Sequence, residues 1–174
     1  MITACNSPNP ADEYFALELA DNSLKGIELN LIAEVAALQA GLSPGQVRAG
    51  LGGSRMVFEQ IDAFLSILGH RAYFLEPLTY ASAWLFERRG FAYVHGHKLM
   101  DDIQHEFQTG GVLYKSLDEA SAFLKRYQAH TVRGRAWAIH DGILESLNLR
   151  WDKIRMVKQI GRHAGVETFP KAVN

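Results

Sequence analysis

The stretch "RAYFLEPLTYASAWLFERRGFAYVHGHKLM", residues 71–100, decides the fold. "RAYFLEP" is a short apolar and aromatic run closed by Pro77, which reads as a buried strand. "TYASAWLFERRG" follows, with Thr79 at its start and Gly90 at its end, the punctuation of a helix. "FAYVHGHKLM" returns to a strand. Upstream, Met56, Ile61, Phe64, Leu65 and Leu68 recur at helical spacing before Gly69. An order of strand, glycine loop, helix, strand, helix, strand predicts an α/β (α+β) domain with a ligand crevice at strand C-terminal ends.

The flanks are less regular. "YFALELAD" and "IELNLIAEVAALQAG", separated by the polar "NSLKG", are compatible with two strands and a turn, although Ala, Leu and Glu would equally suit a helix in the second. Beyond residue 110, "SLDEASAFLKRYQAH" predicts a helix whose Ser116 and Glu119 form a capping box. "TVRGRAWAIHDGILES" reads as irregular and "WDKIRMVKQIGRH" as a basic helical piece. Residues 1–110 carry 7 basic and 13 acidic side chains, and residues 111–174 carry 11 and 6. That asymmetry predicts a C-terminal extension, residues 111–174, packed on a domain of residues 1–110.

The 174 residues, 48% hydrophobic and with net charge -1, describe one ordinary domain. No apolar run is long enough to span a bilayer, and the start lacks a basic, hydrophobic leader, so a cytoplasmic protein with no membrane partner is expected. Cys5 is the single cysteine, which excludes an intrachain disulfide and a thiolate metal cluster. His97, Asp101 and His105 would share a face on a continuous helix, but the strand reading breaks that face, and no metal is expected. His140 and Asp141 read as a turn. Lys153, Arg155, Lys158 and Arg162 read as a solvated helix face open to phosphates, and the near-neutral balance gives no general attraction to nucleic acid.

"GLGGS", residues 50–54, precedes the helix. Glycines at a helix N-terminus let a phosphate approach unpaired N–H groups and the positive end of the dipole; the alternative is a turn. The P-loop pattern is absent and the dinucleotide fingerprint incomplete.

"AEVAAL" and "VRAGLG", followed by Gly69, "RAYFLEP" and "ASAWLFERRGF", resemble the GNAT superfamily, the Gcn5-related N-acetyltransferases, over about residues 30 to 100. There a loop of pattern Q/R-x-x-G-x-G/A binds the pyrophosphate of acetyl-CoA, and a helix, a strand and a helix ending in L-Y-x-x-x-G-F follow. Val47, Gly50 and Gly52 occupy the first pattern; Leu85, Phe86, Gly90 and Phe91 occupy the second. The resemblance implies a mixed central sheet flanked by helices and acetyl-CoA or another acyl-CoA as co-substrate. It implies Arg48, Ala49, Gly50, Leu51, Gly52 and Gly53 as the pyrophosphate cradle, and Leu38, Gln39 and Ala40 at a strand end as backbone partners of pantetheine. Glu34 on that strand would be the base that deprotonates a small-molecule or peptide amine. Phe86 stands where a tyrosine often protonates the departing thiolate; Tyr80 is the substitute nearest in sequence. The family's N-terminal elements are shortened here, so residues 111–174 or a second protomer, as in a homodimer, would cover the vacated sheet surface. The alternative to an N-acyltransferase is a non-catalytic module of this fold that binds acyl-CoA or a protein partner.

Overall fold

Alanine and leucine resolve the ambiguous N-terminal segment as a helix. In the computed structural model, which describes residues 31–46 and 52–170, α1 spans Leu31–Gln39 and buries Ala33 and Ala37, one turn apart. Ala40 N–H donates to the Ala36 carbonyl and Leu42 N–H to that of Ala37. The strand expected at Leu38, Gln39 and Ala40 is therefore corrected: these backbones follow a helix and its closing turn, and the Ala40 amide is already bonded. The run "YFALELAD" lies outside the described residues. The chain divides into two compact units between Gly50 and Leu51, with α1 in the first.

The second unit begins with α2, Ser54–Ile67, then β1, Ala72–Leu75, α3, Tyr80–Arg88, and β2, Ala92–His95, in the order the sequence dictates. Thr79 caps α3 reciprocally: its hydroxyl accepts from Ser82 N–H at 3.2 Å, and its own N–H donates to Ser82 Oγ at 3.0 Å. The strand expected over residues 91–100 stops at His95. The chain turns at Gly96 and continues as α4, His97–Glu106, so His97, Asp101 and His105 do share a helix. His97 Nε2 stands 3.8 Å from Asp101 Oδ1, yet among the described residues no three His, Cys, Asp or Glu side chains are grouped to hold a metal.

The remainder departs most from expectation. Ser116 ends the short α5, Val112–Ser116, and donates to the Val112 carbonyl instead of opening a helix. Asp118 accepts from Ala120 N–H and Ser121 Oγ from Phe123 N–H, so side chains take the amides a helix would use. Only a 3-10 turn, Arg126–His130, forms there. The segment read as irregular is α6, Val132–His140, capped by Thr131, followed by a 3-10 turn, Ile143–Leu147.

The supposed basic helix is a strand, β3, Arg155–Gln159. Met156 and Lys158 are buried while Arg155 and Gln159 are exposed, the alternation of a pleated strand. The sheet order is β1-β3-β2 and β3 is antiparallel to both neighbours, pairing Tyr73 with Lys158 and Tyr93 with Met156. Each observed pairing is thus antiparallel, where a mixed sheet was expected. No continuous basic face forms: Lys158 is buried, and Arg155 lies over the Phe74 ring at 4.9 Å. Leu113, Ala136, Met156 and Phe169 share one core with Tyr80, Phe91 and Met100. No helix among the described residues is long and apolar enough to cross a membrane.

Candidate anion-binding groove

Two glycines lead into α2. Gly52 has φ +70, a conformation that side-chain-bearing residues rarely adopt, and a Cβ placed on Gly52 or Gly53 would meet nothing within 4 Å. Among the described residues nothing stands within that distance of this helix end. Gly53 is the N-cap and no side chain caps it, so the first N–H groups of α2 keep their donors and the dipole its positive end.

Cations gather beside this end. Arg55, Glu59 and Asp62 of α2, Arg88 and Arg89 at the end of α3, Lys158 of β3 and His163 beyond it line a cavity of about 300 Å³ whose apolar wall is Phe58. Arg89 donates from Nη2 and Nε to Ser54 Oγ at 2.9 and 3.2 Å, which ties the end of α3 to the head of α2. Arg55 is paired with Glu59 at 2.8 Å, and Asp62 accepts from the Tyr73 hydroxyl at 2.8 Å. Arg88 lies over the Trp84 ring at 5.1 Å.

Lys158 carries the electrostatic argument. Its residue is 7% exposed and its ammonium donates to the Arg162 carbonyl at 2.7 Å; among the described residues no carboxylate stands within ion-pair distance of it. A buried ammonium facing the groove can give an entering anion a charge-assisted hydrogen bond. The groove offers an anion Arg88, Arg89 and the Lys158 ammonium, set against the Glu59 and Asp62 carboxylates, and the Arg89–Ser54 bond joins it to the helix head.

The residues named from the sequence are only partly brought together. Gly52 and Gly53 stand at the head of α2, whereas Arg48, Ala49, Gly50 and Leu51 lie outside the described residues. Glu34 is half-buried on α1, in the first unit. Tyr80 is 1% exposed, and its hydroxyl accepts from Arg135 Nη1 at 3.3 Å. Burial pushes that phenol up, against the opposing pull of Arg135. Tyr80 does not line the groove. Phe86 packs edge-on against Phe58, centroids 5.7 Å apart, and against Phe91 at 5.5 Å. Arg88 and Arg89 escaped sequence reasoning; the signal was the doublet immediately before Gly90.

A crevice also opens at the C-terminal ends of β1 and β2, where α/β folds commonly bind ligands. It is a cavity of about 500 Å³ lined by Glu76, Pro77, His95 and Trp151 among others, and His95, Asp152 and Lys153 also line a neighbouring cavity of about 760 Å³.

No family model matches the chain, and no curated protein or solved structure matches it.

Proposed function

We propose that the protein is an acyl-CoA-dependent N-acyltransferase of the GNAT type, with acetyl-CoA the first co-substrate to test. The observation that carries this reading is the glycine corner at the head of α2, tied through the Arg89–Ser54 bond to a groove lined by Arg88, Arg89 and the buried Lys158. The order of α2, β1 and α3, with Leu85 and Phe86 near the end of α3 and Gly90 and Phe91 just beyond it, is the order the resemblance implies for this stretch, whereas a helix stands where it implies the preceding strand. In this reading the groove holds the phosphates of acyl-CoA. An acceptor amine attacks the thioester carbonyl directly; the carbon–sulfur bond breaks, CoA leaves as the thiolate, and the amine proton passes to a base. Glu34 is that base.

Calorimetric titration with acetyl-CoA and CoA tests the reading. Gly53 has φ -78 and open space above it, so Gly53→Glu places a carboxylate over the helix head without backbone strain. Wild type should bind and Gly53→Glu should not; equal binding by both, or none by wild type, ends the proposal. Glu34→Gln should leave CoA binding unchanged and lower turnover of an accepted amine by about 10²- to 10⁴-fold.

A second reading, a non-catalytic acyl-CoA-binding module, is favoured by one observation. Phe86, seated among Phe58 and Phe91, has no proton for the leaving thiolate. Binding without turnover across a panel of amines would select it.

A further inference from the structure

The chain beyond β3 has no regular structure and meets the groove at His163. Residues 161–165 are exposed, yet Thr168 and Phe169 are 5% exposed each, so the segment ends in a buried anchor. Glu87, itself 1% exposed, makes that anchor. Its Oε1 accepts from Thr168 Oγ1 at 2.7 Å and from the Tyr93 hydroxyl at 2.6 Å, and its Oε2 accepts from Thr168 N–H at 3.0 Å. Beside it the Phe169 ring lies under the Arg135 guanidinium at 3.6 Å. Between the anchor and β3, Ala164 N–H donates to the Gly90 carbonyl at 3.2 Å and the Arg162 carbonyl receives the Lys158 ammonium at 2.7 Å. His163, flanked by those two contacts, lines the groove.

We propose that residues 161–170 are a strap that builds one wall of the anion groove, and that Glu87 is the positioning residue that fixes it through Thr168. A carboxylate accepting three hydrogen bonds inside the core is a rigid anchor, because leaving any of those groups unpaired there is costly. The strap does two things for the groove. The Arg162 carbonyl accepts a hydrogen bond from the Lys158 ammonium and so fixes its position, and His163, whose Nδ1 accepts from Gly165 N–H, lines the wall.

The identity of the ligand rests on the acyl-CoA reading, and the test separates the two claims. Thr168→Val removes one donor to Glu87 and keeps shape and backbone; Thr168→Ser restores the hydroxyl. Binding of CoA and of S-acetylpantetheine, which lacks phosphates, is measured for each protein. Thr168→Val should weaken CoA about tenfold, the worth of one displaced phosphate contact, and leave S-acetylpantetheine unchanged, with Thr168→Ser close to wild type. Unaltered CoA binding, or equal weakening of both ligands, overturns the strap. Should wild type bind no CoA, the acyl-CoA reading falls, and tryptic cleavage at Arg162 with inorganic pyrophosphate as probe decides the strap alone. Slower cleavage in wild type but not in Thr168→Val supports it, and cleavage indifferent to pyrophosphate overturns it.

Discussion

Gly90 shows how a single position couples stability to the groove. Its φ is +83, and a Cβ there would stand 2.8 Å from Lys158 Nζ and 2.9 Å from His163 Cα. The lysine tip could swing aside, but the His163 backbone could not without lifting the segment that follows β3. Gly90→Ala is therefore expected to lower the free energy of unfolding by about 1–3 kcal/mol through backbone strain and displaced packing. Gly53→Ala, with an ordinary φ and open space, should stay within about 0.5 kcal/mol of wild type. Urea denaturation of both variants measures the difference, and similar values would show that the strand-following segment does not press on Gly90. Gly52 and Gly53 were legible in the sequence because helix-head chemistry is local. Arg89 was not, because its partner Ser54 lies 35 residues away and the pair exists only once α3 has folded against α2.

At the scale of elements, each outer strand is tied to a helix by a phenol and a carboxylate. Tyr73 of β1 donates to Asp62 of α2 at 2.8 Å, and Tyr93 of β2 donates to Glu87 of α3 at 2.6 Å. Burial first, then the hydrogen bond to the carboxylate, holds both hydroxyls well above the ordinary tyrosine range. Because the folded-state values are raised, their contribution to stability is fully present below about pH 10, where unfolded tyrosine is still protonated, and is lost as pH rises toward the folded-state values. The melting temperature should accordingly fall above about pH 10, and Tyr93→Phe should flatten that fall. A melting temperature independent of pH through this range would show that the phenols are not so held. The same elements explain which parts of the fold could be read from sequence. α2, β1, α3 and the start of β2 have apolar periods bounded by Gly, Pro and Thr and form where they were read, but the strand read as buried is not: Phe74 of β1 is 55% exposed. β3 was hidden by its own chemistry: Arg155, Lys158 and Arg162 recur at helical spacing, and a lysine at an inward position conceals the period of two. Ser116 and Glu119 have the spacing of a capping box, but Asp118 and Ser121 take the local amides, and Glu119 adopts φ 66.

At the scale of the whole chain, the sheet is completed from the far end of the sequence. Among the described residues β1 and β2 each hydrogen-bond to β3 and not to one another, so there residues 155–159 supply the partner of both strands. Two cations of the basic C-terminal half, Arg135 and Lys158, are buried within the second unit, the former donating to Tyr80 and Gln104 and the latter to the Arg162 carbonyl. Residues 111–174 also supply Leu113, Ala136, Ile154, Met156 and Phe169 to the core that contains Tyr80, Phe91 and Met100. A chain ending at Gly110 therefore keeps two strands with no strand between them and a core open on one side. Unpaired strands do not hold together in water, and a segment that cannot bury its apolar faces loses to chain entropy. Such a truncation is expected to show no cooperative urea transition by circular dichroism and poor amide dispersion by NMR, whereas residues 51–174, which contain the sheet and the core, should unfold cooperatively. A cooperative transition in the shorter chain would mean that residues 1–110 make a core of their own, and β3 would then be an addition to a finished fold instead of the strand that completes it.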